Sequence, residues 1–535
     1  MKRQLFSAFL MISLLISMLG FAFNTRLGKA EGGTIYIRAD GSIDPPDAPI
    51  STVDNVTYTL TDNVASDADG LIVEKDGIVV DGAGYTLQGS GSGTGIDLSN
   101  RNNVTIKSTS VRSYDHGVYL DESYSISIIE NNVTDNGDMG VGVGYSSNNT
   151  IVGNNMTNNG DGVMLYLSSN NSINWNNMSD RGFEMRLYAS SNNSIVGNNF
   201  TSGLYGIVLD GSSNNSITGN EFFNDGLSVR FSYQNSVENN TVNGKRLAYL
   251  EDLSDYSVAD AGQIVLVRCR GIMIEDLNLS RTLRCILLCE TNDTVISENT
   301  VKGDAESIML DGSFNNSITK NNITSDKGSG IGLYRSSHNS IDGNNITAND
   351  WGSGIYLDNS YNNSITENSI ENNENGITLS NSSDNIVCHN NFISNTRQVY
   401  DLSWDDPSDP PSTNMFDNGY PSGGNYWSDY SGIDVYTGPY QNLTGTDGIS
   451  DVPYVIDANN TDRYPLMNQY VARLRLLGDV NDDGMVNMRD VLMAVQAFNS
   501  FRGYPRWNID ADLDGSGRVD MKDILTIVLN FNKHE

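Results

Sequence analysis

The sequence predicts a mainly β protein: a right-handed parallel β-helix of about thirteen coils, followed by a small α-helical module with paired calcium loops. Three observations carry this. The phrase Asn-Asn-Ser-Ile-x-x-Asn-Asn-apolar returns about every 22 residues through the middle of the chain. Within each copy, apolar and polar residues alternate over four to six positions, which is strand periodicity. Two acidic loops of matching pattern lie 33 residues apart near the C-terminus.

Each element follows from local chemistry. Indexed by their first apolar residue, the repeats fall at Ile106, Ile128, Ile151, Ile173, Ile195, Ile217, Val237, Ile274, Ile296, Ile318, Ile341, Ile365 and Ile386. A second phrase, Gly-apolar-x-apolar, lies between them, as in Gly117-Val118-Tyr119-Leu120 and Gly376-Ile377-Thr378-Leu379. Asn, Gly, Ser and Asp fill the gaps and suit turns that need positive φ. A unit of about 22 residues cannot bury its own apolar face, but stacked on its neighbours it can. Ile then packs on Ile, and the Asn columns form amide ladders. A leucine-rich repeat would need Leu columns and a helix per turn, which are absent. At ~4.8 Å per coil the stack is roughly 60 Å long. The step from Val237 to Ile274 is 37 residues. It is read as an insertion near residues 243–262, forming a loop on one side.

The outer segments complete the organisation. Lys2 and Arg3 precede an apolar run from Leu5 to Phe23, the pattern of a secretory signal cut after Ala30. The run is long, so an uncleaved anchor is the alternative, and no other segment is long and apolar enough to span a bilayer. The expected divisions are 1–30 signal, 31–75 N-terminal cap, 76–402 β-helix, 403–470 C-terminal cap and 471–535 calcium module. The aromatics of Gly423-Gly424-Asn425-Tyr426-Trp427-Ser428-Asp429-Tyr430 are expected to cover the last coil.

Composition bounds the function. Of 535 residues, 32 are Lys or Arg and 66 Asp or Glu, a net charge of −34. That argues against nucleic acid and anionic lipid as partners. Cys269, Cys285, Cys289 and Cys388 are too few for a disulfide framework in so long a chain and read as buried small hydrophobes.

The coils, the segment 243–262 and the Gly-Gly-Asn-Tyr-Trp-Ser-Asp-Tyr phrase resemble the right-handed β-helix repeat proteins that bind or hydrolyse carbohydrate, and most of all their NosD-type branch, over about 75–470. The resemblance implies the fold, and for NosD itself a role in copper-centre maturation. Copper needs soft or imidazole ligands. The four histidines, His116, His338, His389 and His534, are scattered, and two of them occupy Asn-like turn columns.

The C-terminal loops carry the clearest chemistry. In the first, Asp479, Asn481, Asp483, Asn487 and Asp490 place oxygens at positions 1, 3, 5, 9 and 12, with Gly484 at position 6 and the Met485 carbonyl at 7. Ca²⁺ takes such hard oxygen donors. In the second, Asp512, Asp514, Ser516, Asp520 and Asp523 repeat the pattern, with Gly517 and the Arg518 carbonyl. A register starting at Asp510 would put Met521 at position 12, where it cannot bind the ion. Val491, Leu492, Val495 and Phe498 follow the first loop at helical spacing. Both loops end in Asp, and neither has an entering helix. This resembles a type I dockerin over about 478–533. The resemblance implies two Ca²⁺ ions and a cohesin-bearing partner, chosen through positions 10 and 11, here Met488, Arg489, Met521 and Lys522.

The solenoid offers one candidate surface. The residue after each Gly-apolar-x-apolar phrase forms an outward column that includes Asp121, Tyr166, Tyr188, Asp210, Arg230, Asp311, Tyr334 and Asp358. Asp311, Asp358 and Asp210 are the candidate catalytic carboxylates. Tyr334, Arg335, Tyr188 and Tyr166 are the candidate substrate contacts. Asp311 and Asp358, two coils apart, would stand about 9.6 Å apart, near the upper end for an inverting glycosidase pair. The expectation is a secreted, calcium-binding protein whose β-helix binds or processes polysaccharide in a cohesin-organised assembly. An enzyme would be a glycoside hydrolase or polysaccharide lyase. The alternative is a non-catalytic structural or adhesive surface protein.

Overall fold

The structure is a computed structural model. It describes residues 33–534 apart from 202, 204, 349–351, 407, 472–475, 482, 483, 502–505 and 515. The N-terminal signal lies outside the described residues.

The repeat folds as expected into short parallel strands stacked coil on coil. One ladder passes from Tyr58 through Val80, Ile106, Ile128, Ile151, Ile173, Ile195 and Ile217 to Val237. A second runs from Val258 through Ile274, Ile296, Ile318, Ile341 and Ile365 to Val387. The two ladders hold nine and seven rungs, sixteen rather than thirteen. Tyr58 and Val80 add coils before the first indexed copy, and Val258 adds one inside the long step. The last index shifts by one residue, because Ile365 pairs with Val387 and Ile386 pairs with Ser364.

Asparagine holds the coils together. The residue before each inward Asn takes a left-handed backbone, as at Asn170 (φ 59°) and Asn192 (φ 59°) before Asn171 and Asn193, or at Glu130 (φ 52°) and Trp175 (φ 56°) before Asn131 and Asn176. Asn171 Nδ2 donates to Asn193 Oδ1 at 3.2 Å, and the Asn171 backbone N–H donates to the same oxygen at 2.9 Å. The series from Asn131 through Asn154, Asn176, Asn198 and Asn220 to Asn240 repeats this. A buried amide costs stability unless it is satisfied, and each coil satisfies the one before.

The long step is not a loop. Asn243 and Gly244 both have positive φ, 51° and 78°, the pairing of a type I′ hairpin. The chain reverses there, and Lys245–Arg246 pair antiparallel with Thr241–Val242. Lys245–Glu251 then becomes the first strand of a new parallel stack, beside Gln263–Val267. The solenoid is therefore two stacks joined at an elbow.

The elbow is packed. Gln263–Val267 and Ile286–Cys289 are buried on both faces. Ile264, Leu266, Ile286 and Leu288 face their own core. Leu247, Tyr249, Val265, Val267, Leu287 and Cys289 face the core of the first stack and close its open end. At the far end, Trp427 stacks on Phe392 and on Tyr454, each at 4.4 Å between ring centroids. All four cysteines are free and buried.

Candidate functional site

The elbow brings together two outward columns that the sequence places in different coils. On the first stack, Asp121, Gly144, Tyr166, Tyr188, Asp210 and Arg230 occupy successive rungs. On the second, Cys289, Asp311, Tyr334, Asp358 and Ser380 do the same. Where the stacks meet, an open cleft of about 390 Å³ is lined by Asp210, Arg230, Asp311, Tyr334, Arg335 and Asp358, with Phe183, Tyr205 and Arg284 among its other walls.

Its charged groups hold one another in place. Arg335 pairs with Asp311. Asp311 is 7% exposed; burial pushes its carboxyl up, and the Arg335 guanidinium pulls it back down. Tyr334 donates from its hydroxyl to Glu306 Oε1 at 3.0 Å, and burial, then Glu306, raises its phenol. Arg284 bridges the two stacks. Its Nε reaches Glu306 Oε2 at 3.1 Å, and its Nη1 donates to Ser228 Oγ at 2.8 Å. Phe183 and Tyr205 stack at 4.6 Å and form a flat aromatic wall. Asp358 accepts from Asn359 Nδ2 at 2.6 Å.

The structure thus gathers Asp210, Asp311, Asp358, Tyr334 and Arg335 into one site. Tyr166 and Tyr188 stand on the rungs leading away from Asp210 and are not among the lining residues. Their rings stack on each other at 5.4 Å and 7°, so the contact occupies a face of each ring. Sequence reasoning missed Arg284, Glu306, Phe183 and Tyr205. Phe183 and Tyr205 share a register column with Asp161 and Met139, an outward position that period-two alternation exposes. Arg284 and Glu306 carried no such signal: Arg284 reaches Ser228 across the elbow, and Glu306 pairs with Arg284 and Tyr334 of its own stack.

Glu184 occupies a position that is Gly117, Gly140 and Gly162 in the coils before and Gly206 in the coil after. A Cβ on Gly162 would lie 2.4 Å from the Glu184 carbonyl oxygen. Glu184 is fully buried beside Asp225 and Asp180. Its Oε1 accepts from the backbone of Thr201 at 2.9 Å and Gly203 at 3.1 Å. Burial, then Asp225, raises its carboxyl to about 11.

The C-terminal module is built twice on one plan. Helices α1 (Met488–Ala497) and α2 (Met521–Leu529) each begin with a capping box, at Asn487/Asp490 and Asp520/Asp523. Asp490 Oδ1 accepts from the Val480 and Asn481 backbones at 2.8 and 3.0 Å. Asp523 Oδ1 accepts from Leu513 and Asp514 at 2.8 and 3.2 Å. Gly484 and Gly517 take φ of 78° and 77°, the turn that position 6 demands. Carboxylate oxygens of Asp512, Asp514 and Asp523 lie within 4.8 Å of one another, a donor set that fits Ca²⁺. Asp483 lies outside the described residues. Asp510 is not a ligand-column residue: its Oδ2 accepts from Asn418 and Ser422 of the C-terminal cap, both at 2.8 Å. The apolar stripe on α1 is split: Val491 packs against the core of the module and Phe498 is exposed. Leu492 and Val495 are exposed, as are Leu525 and Val528 on α2, and Ala494, Ala497 and Ile527 pack inside. Met488 and Met521 are exposed at matching first positions of the two helices.

Three family descriptions match successive parts of the chain. Residues 62–247 match "Periplasmic copper-binding protein (NosD)", residues 263–440 "Right handed beta helix region", and residues 477–532 "Dockerin type I domain". The first two meet around the elbow. The matched part offers copper few imidazole or thiolate ligands. The NosD-matching part holds a single histidine, His116, and no cysteine, and the one cluster of three His, Cys, Asp or Glu ligands among the described residues is Asp512, Asp514 and Asp523. No curated protein matches the chain. Solved structures that resemble it include the periplasmic alginate epimerase AlgG (14% identity, 66% of this chain and 76% of that chain, TM-score 0.24). The surface protein and adhesin PfbA of Streptococcus pneumoniae follows (12%, 69% and 91%, TM-score 0.26). The Azotobacter vinelandii mannuronan C-5 epimerase AlgE6 A-module is a third (15%, 72% and 90%, TM-score 0.20). The stacked parallel coils and the duplicated acidic loops, with their family matches, make this chain a right-handed β-helix protein with a C-terminal, calcium-binding type I dockerin domain.

Proposed function

We propose that this is an exported protein that binds polysaccharide in its elbow cleft and is held in an extracellular assembly by its dockerin, which docks on a cohesin-bearing partner with two Ca²⁺ bound. One observation carries the glycan reading: Asp210, Asp311, Asp358, Arg230, Arg335 and Tyr334, drawn from two separate stacks, line a single open cleft. Carboxylates, guanidiniums and an aromatic wall together supply the acceptors, donors and flat apolar surface that a sugar ring needs. Arg335 and Arg284 are already held by Asp311 and Glu306, so a ligand meets preorganised donors.

For the dockerin, the exposed apolar stripe of Leu492, Val495, Leu525 and Val528, with Met488 and Met521 at equivalent positions, supports a docking face. In this reading Asp479, Asn481, Asp483, Asn487, Asp490 and the Met485 carbonyl hold one ion. Asp512, Asp514, Ser516, Asp520, Asp523 and the Arg518 carbonyl hold the other. Met488, Arg489, Met521 and Lys522 select the partner.

A hydrolytic reading has one specific support. Asp311, Tyr334 and Asp358 sit on three successive rungs, so the two carboxylates are two coil spacings apart, about 9.6 Å, within reach of an inverting geometry. The ion pair of Asp311 with Arg335 weighs against it as a proton donor. Calorimetric binding of glycans to the whole protein, with product release followed by chromatography, tests both readings. Binding lost in Arg335→Ala and Tyr205→Ala supports the cleft. Release of oligosaccharide that disappears in Asp358→Asn supports hydrolysis. Binding indifferent to every cleft variant removes the glycan site from the elbow.

A further inference from the structure

We infer that the elbow cleft selects a neutral, hydroxyl-rich glycan and turns away polyanionic ones. The inference rests on the cleft being a glycan site and names the chemical class that the site takes.

Two of the three guanidiniums of the cleft are already held by carboxylates of the protein. Arg335 is paired with Asp311, and Arg284 with Glu306 at 3.1 Å. Arg230 forms none of the ion pairs among the described residues. Its Cα partner on the neighbouring rung is Asp210, its charge acts on Asp311, and its guanidinium carbon lies 5.0 Å from the centre of the Phe231 ring. A uronate or sulfate group reaching for Arg284 or Arg335 would displace or compete with a carboxylate that belongs to the protein, and one reaching for Arg230 would stand beside Asp210 of the adjoining rung. A displaced carboxylate would be left uncompensated, which opposes binding.

The surrounding field works the same way. The walls present Asp210, Asp311 and Asp358 against Arg230, Arg284 and Arg335. Glu306 stands behind the wall on Arg284 and Tyr334, and Glu290 lines the small cavity that adjoins it at Asp311 and Arg335. Five carboxylates thus surround three guanidiniums, in a chain with 66 acidic and 32 basic residues. A polyanion approaches against this potential at every step.

A neutral sugar meets the opposite situation. A hydroxyl both donates and accepts. It donates to Asp210 or Asp358 and accepts from the outward N–H groups of a guanidinium without breaking the internal pairs. The stacked Phe183 and Tyr205, with Val208, Leu287 and Met309, offer the apolar wall for a ring's C–H face.

The test is titration calorimetry on the whole protein with calcium present, using a neutral glucan hexasaccharide, a neutral mannan hexasaccharide and a galacturonate hexasaccharide. A neutral ligand is expected to bind, with the galacturonate weaker by about tenfold or more. Asp210→Asn combined with Asp358→Asn is expected to raise galacturonate affinity severalfold, with thermal melting confirming the fold of the variant. Galacturonate binding equal to or tighter than the neutral ligands, and lost in Tyr205→Ala, overturns the charge selection while keeping the cleft as a glycan site. Absence of binding by all three, or binding untouched by the cleft variants, overturns the glycan reading and this inference with it.

Discussion

Gln263 of the second stack holds Leu227 of the first by both of its backbone groups. The Leu227 N–H donates to Gln263 Oε1, and Gln263 Nε2 donates to the Leu227 carbonyl, each at 2.9 Å. The same Nε2 donates to the Arg284 carbonyl at 2.9 Å. Leu227–Arg230 is the terminal strand of its sheet, and the side-chain amide supplies partners that a next coil would have given. Gln263→Leu leaves both Leu227 groups buried and unpaired, at about 1–3 kcal/mol each. We expect an earlier urea midpoint and faster hydrogen exchange at the Leu227 amide. Unchanged exchange at that amide would show that the seam does not depend on Gln263.

Glu184, with Asp225 and Asp180, makes the first stack sensitive to alkali. In the folded chain burial raises Glu184 to about 11 and Asp225 and Asp180 each to about 6. Their unfolded values are near 4. Raised carboxyls contribute stability that is fully present below the unfolded value and is lost as pH rises through the folded one. Stability should therefore decline from pH 4 upward, by on the order of a few kcal/mol at pH 7 for Glu184. Glu184→Gln should flatten that decline. Melting curves at pH 5 and pH 8 check it, and an equal slope in variant and wild type would count against the buried acid.

Calcium should act on the dockerin and leave the coils alone. Asp490 and Asp523 each tie the start of their loop to its end, accepting from two backbone N–H groups at the start and from the N-cap backbone N–H at position 9. Calorimetry should give two ions per chain, and one after either Asp490→Ala or Asp523→Ala. Chelation should abolish the helical circular dichroism and keep the β signal, since the proposed ligands all belong to the loops themselves. Retention of both ions in either variant would refute the ligand assignment.

The dockerin rests against the cap through Asp510, which accepts from Asn418 and Ser422. Ser422 in turn meets His389 Nε2 at 3.2 Å, and His389 stacks on Tyr470 at 4.6 Å. Asp510→Ala should speed hydrogen exchange over residues 418–424 and loosen the module by about 1 kcal/mol, while calcium stoichiometry stays the same. Equal exchange in variant and wild type would mean that the contact holds nothing in solution.

Much of this molecule is legible in its sequence because a solenoid is built from nearest-neighbour contacts. A coil packs only on the coils before and after it, so a 22-residue period already specifies which Ile meets which Ile and which Asn bonds which Asn. The dockerin loops are legible for a similar reason: all the proposed ligands of a loop lie within twelve consecutive residues, and chain geometry alone brings them together. The Asn243-Gly244 hairpin was also in plain view as a dipeptide. Its meaning was obscured because a repeat interrupted by extra residues suggests a loop, whereas two positive-φ residues reverse the strand.

What the tertiary structure decided is the elbow. The doubly apolar strands Gln263–Val267 and Ile286–Cys289 needed a second core to bury their outer faces, and the open end of the first stack was the surface that removed them from water. That packing turned two columns toward each other and set Asp210 and Arg230 opposite Asp311, Tyr334 and Asp358. It also created the bridge from Ser228 through Arg284 and Glu306 to Tyr334, between residues as far apart as 106 positions. A period records what repeats, and the candidate site arose where the repeat breaks.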